Sequence, residues 1–284
     1  MKLVAPVFAL AAVGCTTSPS RIDPAVAARP SDALASGAAS TAPERDDRLA
    51  RIERRLDKVT KALDEALGPP GPDPAAMYAV PINEQDPIEG PRDAKVTIVE
   101  AYEFLCPYCF MVNPAVENIR TKYPNDVRVV SKYMVIHGAP AATAGAYACA
   151  AAKQGKFTEM KAALWSALWK TENGRPQAHP EEVANIGAVA ATLGLDGRRL
   201  TADMDTCKQW LSSGQRELQP VGIHATPSFF VNGRPLRDNS FAALDKLVSE
   251  ELDKASKSTV AAADYYGREV VAKGLTAVKG RFAD

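Results

Sequence analysis

Four β-branched residues, Val96-Thr97-Ile98-Val99, lead through Glu100 and Phe104 into Cys106-Pro107-Tyr108-Cys109. An unbroken run of this kind reads as a buried strand. Pro107 suits the first turn of a helix, which makes Cys106 the N-cap of a helix reaching about Lys122. Val127 to Met134 reads as the next strand, so the three elements form a β-α-β unit with parallel pairing. The two cysteines are thereby placed where a strand gives way to a helix. Pro114 falls inside that helix and should bend it.

The rest of the globular part extends this plan. A short strand is expected over Met77 to Ile82, and a helical block over Pro140 to Gly214. Pro227-Ser228-Phe229-Phe230-Val231 reads as a strand, Asn232-Gly233 as a hairpin turn, and Phe241 to Leu252 as a helix. With 46% hydrophobic and 24% charged residues, the chain can bury a sizeable core. Gross disorder and multipass membrane architecture are excluded. Thirty-four basic residues balance 34 acidic ones, so no global field draws the chain to nucleic acid.

A thiol attacks a disulfide as the thiolate, and the N–H groups and partial positive charge of a helix N-terminus stabilise a sulfur anion there. Cys106 therefore reads as the nucleophile. Cys109, one turn along the same face, reads as the thiol that attacks the resulting mixed disulfide and releases the substrate. A zinc half-site needs a second Cys/His pair at ligand spacing, which the sequence does not offer. The three histidines are too scattered for a metal site, and neither a metal nor a cofactor is expected. His224, two residues before Thr226, could reach the thiolate or be an ordinary loop histidine. His137 is expected to hydrogen-bond at a strand end.

A Cys-x-x-Cys after a strand, a Thr226-Pro227 pair before a late hairpin and a helical block between them resemble the thioredoxin superfamily. More closely, they resemble its DsbA-like thiol–disulfide oxidoreductases, over about 180 of the 284 residues. The resemblance implies an α/β thioredoxin fold with an inserted helical domain at about 140–214. It implies a proton-relay role for Glu100, whose position matches the family's buried acid. The alternative is a strand-end acid in water, with Glu103 the exposed one of the two. The resemblance also makes Thr226-Pro227 a cis-proline loop that offers its backbone to an extended substrate chain, indifferent to side-chain sequence. Threonine before the proline matches isomerase-type and reductase-type members. Phe104, Tyr108 and Phe110 around the motif could form an apolar docking surface for unfolded chains, though core packing explains Phe104 equally well. The partners implied are thiol-containing secreted proteins and a membrane protein that resets the cysteines. Oxidation, isomerisation and reduction all remain open, as does a non-catalytic chaperone or binding module on the same scaffold.

Ahead of this part, Lys2 and the apolar stretch Leu3 to Gly14 read as a signal peptide too short to span a bilayer. Ala12-Val13-Gly14-Cys15 resembles the lipobox of bacterial lipoproteins, which implies lipidation of Cys15 and a site of action on the periplasmic side of the envelope, with the outer membrane mildly preferred. Setting Cys15 aside leaves four cysteines, and in an oxidising compartment Cys149 and Cys207 then form a structural disulfide or remain two buried thiols. Thr16 to Pro43, rich in Ser, Ala and Pro, reads as a solvated tether. From Glu44 to Leu67, Leu49, Ile52, Leu56, Val59, Leu63 and Ala66 recur at heptad spacing, which predicts a short coiled-coil-like helix. Its stripe must pack on something: a homo-oligomer or the chain's own globular part. Residues 68–76 form a stiff Pro/Gly linker, and a helical extension is expected over 256–284.

Overall fold

The computed structural model describes residues 42–280. The leader, Cys15 and the tether up to residue 41 lie outside the described residues. The chain divides into two units at Asp57 and Lys58, inside the first helix. That helix, α1 (Ala42–Leu67), takes in the last two tether residues. It keeps Leu49, Ile52, Leu56, Val59 and Leu63 of the heptad stripe exposed.

The larger unit is organised by one five-stranded sheet. Its strands are β1 (Ile88–Glu89), β2 (Val96–Tyr102), β3 (Val127–Tyr133), β6 (Ser228–Val231) and β7 (Arg234–Pro235), in the order β1-β3-β2-β6-β7. The expected parallel pair is present: β2 and β3 run in register from Val96 opposite Val127 to Tyr102 opposite Tyr133. β6 pairs antiparallel with β2, setting Glu100 opposite Phe229. Every residue of β2 is buried, as its β-branched run requires. On one face α2 (Pro107–Lys122) and α7 (Phe241–Ser256) supply Val112, Val116, Ile119, Leu244 and Val248. Pro114 lies inside α2. The β6–β7 turn is the expected Asn232-Gly233, both residues at positive φ (45° and 79°) as a tight two-residue hairpin demands.

The insertion comprises α3 (Gly138–Ala152), α4 (Phe157–Leu168), a hairpin of β4 (Trp169–Glu172) and β5 (Arg175–Ala178), a 3-10 turn (Pro180–Asn185), α5 (Ile186–Thr192) and α6 (Gly197–Leu218). The hairpin departs from the all-helical expectation. It turns on Asn173-Gly174, again both at positive φ. Alanine-rich α3 packs on α6, and the disulfide Cys149–Cys207 joins the two across 58 residues of chain. Cross-linking a loop of that length restricts the unfolded chain. Replacing both cysteines by alanine is expected to cost about 2–4 kcal/mol, read as a lower urea midpoint.

Two expectations at the ends of this unit are corrected. Met77 to Ile82 is not a strand: Tyr78 makes one isolated bridge, to Leu275, and its N–H goes to the carbonyl of Gly233 instead. Pro81, which has no N–H, closes off further pairing. Among its described residues, the C-terminal extension beyond α7 is helical only over α8 (Ala262–Tyr265) and a π-turn (Tyr266–Val271). From there the chain crosses back over residues 77–80. Leu275 bonds Met77 and Ala79 through the backbone, and the Tyr266 hydroxyl donates to the Val80 carbonyl.

Candidate active site

The site forms where β2 ends and α2 begins. Cys106 is the N-cap of α2 in extended conformation, and its Sγ accepts from the backbone N–H of Cys109 at 3.3 Å. Across from it, Sγ lies 3.4 Å from the carbonyl oxygen of Thr226, in the loop whose Thr226-Pro227 bond is cis, as the resemblance implied. Cys106 and Cys109 are both free thiols and both buried. The Cys109 thiol, donating to the Cys106 sulfur, does most to lower the Cys106 thiol, to about 6. Burial opposes this, while Thr226 and the backbone N–H groups of Cys109 and Tyr108 add to it. The helix N-terminus thus contributes, but the neighbouring thiol contributes more. Cys109 is raised instead, first by burial and then by the sulfur of Cys106. One sulfur is prepared as an anion and the other as a protonated thiol.

Glu100 is buried, and burial raises its carboxyl even though Lys161 stands 3.2 Å away. Glu103, expected in water, is buried as well. It faces back into the fold, where it accepts the backbone N–H groups of Ile136 (2.9 Å) and His137 (3.2 Å) and meets His137 Nδ1. Those donors compensate the desolvation that a lone carboxylate would suffer. His224 is exposed. Phe104 is core, packed edge-on against Trp165 with ring centroids 4.9 Å apart. Phe110 stacks on Trp169 at 4.8 Å, and Trp169 Nε1 donates to the carbonyl of Phe104 at 2.8 Å. The inserted hairpin is thereby fastened to both sides of the Cys-x-x-Cys. Of the three aromatic residues, only Tyr108 is fully exposed, at 66%. It lines a groove of about 420 Å³ together with Met111, Val112, Thr226, Pro227 and Asn239. Asn239 Nδ2 donates to the Pro227 carbonyl at 3.2 Å and steadies the wall of this groove.

The structure thus brings the buried Cys106 and Cys109 together with Thr226 and Pro227 beside the exposed Tyr108, with Glu100 beneath. Cys149 and Cys207 are in the insertion, joined to each other. Glu89 and Lys161 belong to the site but were not expected from the sequence. The signal for Lys161 is there: it shares one helical face with Phe157, Leu164 and Leu168, an apolar stripe in which a lone lysine must find a buried acid.

Residues 82–250 match the family model described as Thioredoxin. The chain belongs to the thioredoxin family. Solved structures agree on the fold. A thioredoxin-like oxidoreductase from Silicibacter pomeroyi DSS-3 is 26% identical, with 62% of this chain and 95% of that one covered at a TM-score of 0.51. Oxidised BdbD from Bacillus subtilis is 20% identical (63% and 98%, TM-score 0.54). A linker-deletion mutant of Proteus mirabilis ScsC is 23% identical (77% and 100%, TM-score 0.54). Among curated proteins, the Na(+)/H(+) antiporter NhaA of Herminiimonas arsenicoxydans is 36% identical over 159 residues, covering 54% of this chain and 23% of the antiporter. NhaA 3 of Salinispora tropica is 34% identical over 167 residues, covering 55% and 23%. This thioredoxin-family chain spans about a quarter of the length of those relatives. Among the described residues no helix is long and apolar enough to cross a membrane.

Proposed function

We propose that this chain is an extracytoplasmic protein thiol–disulfide oxidoreductase that works through a mixed disulfide on Cys106. The observation that carries this reading is the divergence of the two sulfurs, one lowered to about 6 and the other raised, beside the Thr226 carbonyl. In exchange, the Cys106 thiolate attacks a substrate disulfide, one S–S bond forms as another breaks, and the substrate's second sulfur leaves as a thiol. Cys109 then displaces the first sulfur and closes the Cys106–Cys109 bond. The opposite direction moves a disulfide into the substrate. The groove beside Cys106 has room for an extended peptide, and Tyr108 and Met111 favour apolar side chains on it. The leader-like N-terminus and the Cys149–Cys207 disulfide support an oxidising compartment. Membrane attachment through Cys15 and a membrane partner that resets the cysteines belong to the same reading.

Thr226 and the heptad stripe of α1 favour isomerase or reductase work, in which several active sites around one substrate are useful. In a parallel pair of such helices, Arg48 of one copy would lie opposite Glu53 of the other, a complementary flanking pair. Equilibration of the Cys106/Cys109 couple with glutathione tests the direction. A potential at or above roughly −180 mV means a protein that donates or shuffles disulfides, and one near −230 mV or below means a reductase. Deleting residues 44–67 is expected to reduce the sedimenting mass to that of a monomer and to remove isomerisation while sparing dithiol oxidation. An unchanged mass would contradict the oligomeric reading.

A further inference from the structure

Charged side chains from three other elements meet beside Glu100 of β2. Lys161 of α4 places Nζ 3.0 Å from Glu89 Oε2 and 3.2 Å from Glu100 Oε2, with all three residues buried. The other oxygen of Glu89 forms an ion pair at 3.0 Å with Arg120 Nη1 of α2, which also donates to Glu117 Oε2 at 2.6 Å, and accepts from Thr158 Oγ1 at 3.1 Å. The two carboxyl groups are therefore unequally served. Glu89 has two cations and a hydroxyl. Glu100 has a share of one cation, and among the described residues that lysine is its one side-chain hydrogen-bond partner. When two acids share a site, the better-served one keeps the negative charge and the other is left to exchange a proton.

We propose that Glu89 is a positioning residue for the exchange reaction: it binds Lys161 through one oxygen and Arg120 through the other, leaving Glu100 as the group that takes and returns the proton of Cys109. This rests on the thiol–disulfide exchange proposed above. In the resolving step the Cys109 S–H gives its proton to the Glu100 carboxylate as its sulfur attacks Cys106 Sγ. The Cys106–substrate S–S bond breaks, and the departing substrate sulfur keeps the electron pair and takes a proton from water. The cysteine pair is oxidised and the substrate sulfur reduced. In reverse, protonated Glu100 returns its proton to the departing Cys109 sulfur. The directions of the two acids agree: Glu89 is lowered, because Lys161 and Arg120 outweigh its burial, and Glu100 is raised. The groups facing Glu100 are Lys161 from α4, Glu89 from β1, Cys109 and Glu117 from α2, and Tyr102 from its own strand, with Arg120 of α2 behind Glu89. Ser131 is its partner on β3 and Phe229 its partner on β6. Lys132 sits one residue beyond Ser131, facing the other way, paired with Asp86.

The test uses the full chain. The Glu100 carboxyl is followed by ¹³C NMR in the reduced protein and assigned by its loss in Glu100→Gln. Reaction with 5,5′-dithiobis(2-nitrobenzoate) supplies the kinetics, its second thionitrobenzoate release being the resolving step. Glu89→Gln removes a negative neighbour and concentrates Lys161 on Glu100. The Glu100 midpoint should fall by about one pH unit or more, with the acid limb of the second release moving down alongside it. Glu89→Asp, which keeps the charge, should restore both. Should Glu89→Gln not fold, Arg120→Gln at the half-buried end of the chain must move the midpoint upward instead. A folded Glu89→Gln protein with an unmoved or raised Glu100 midpoint overturns the proposal. An upward shift that fails to appear in Arg120→Gln does the same. Wild-type protein that exchanges no disulfide overturns this proposal together with the function above, whereas an active wild type with an unmoved Glu100 overturns this one alone.

Discussion

Replacing Cys106 by serine is expected to reduce thiol–disulfide exchange to background, while Cys109→Ser protein should react once and stall as a mixed disulfide visible by mass. With its thiol lowered to about 6, Cys106 is about nine-tenths thiolate at pH 7, against about 3% for an ordinary cysteine near 8.5, roughly a 30-fold gain in nucleophile. Cys109, raised by burial, contributes no thiolate of its own. Alkylation of reduced protein by iodoacetamide should therefore follow a single titration with a midpoint near pH 6, and that titration should vanish in Cys106→Ser. The same shift sets a sign for stability. A thiol lowered in the folded state stabilises the reduced protein fully above the ordinary thiol range, and that contribution is lost as pH falls toward about 6. The reduced form should thus gain stability relative to the oxidised form between roughly pH 6 and 9, measured as diverging urea midpoints.

Lys132→Met is expected to be the most damaging single change away from the sulfurs, at about 3–5 kcal/mol. Lys132 is wholly buried on β3, with Nζ 2.5 Å from Asp86 Oδ2 and in contact with Glu217. Asp86 also accepts from Trp210 Nε1 (3.1 Å) and from the backbone N–H of Asn83 (2.7 Å), so it cannot turn to water when the lysine goes. Most of the cost is the stranded carboxylate rather than the loss of a favourable pair. Changing Asp86 to Asn in the Lys132→Met background should consequently recover part of the loss, because the amide carries no charge and its one carbonyl oxygen still accepts one of the two bonds, which fall on different oxygens of the carboxylate. If the double variant is less stable than the single one, the stranded charge is not the cause.

The parts of the molecule legible in the sequence are those fixed by local chemistry. The β-branched run before the Cys-x-x-Cys, Pro107 at the start of a helix and Asn232-Gly233 between two strands each dictate their own conformation. What escaped was set by residues far apart in the chain. Glu103 was expected in water because nothing nearby in sequence announces the Ile136 and His137 N–H groups that receive it. Glu89 sits on a two-residue strand, too short for any periodic signal, and its partners lie on α2 and α4. The β4–β5 hairpin is a different case. Asn173-Gly174 is the same dipeptide as Asn232-Gly233 and adopts the same positive φ values, but it stands amid helical periodicity that overshadowed it. The Thr226-Pro227 loop and the Cys149–Cys207 pair came from family resemblance and from cysteine parity, and their geometry agrees with both.

The crossing of the C-terminal segment over residues 77–80 bears on when the domain can close during synthesis. The N–H of Ala79 and the carbonyl of Met77 have their partners on Leu275, and the Val80 carbonyl has its partner on Tyr266. Buried backbone groups must be paired, so the first stretch of the domain to leave the ribosome waits for nearly the last. A chain made from its N-terminus can assemble β2, α2 and β3 early, yet its leading edge stays unfinished until about 200 more residues have followed. Such a late latch keeps the first stretch of the domain open and postpones completion of the fold until residues 266–275 have been made.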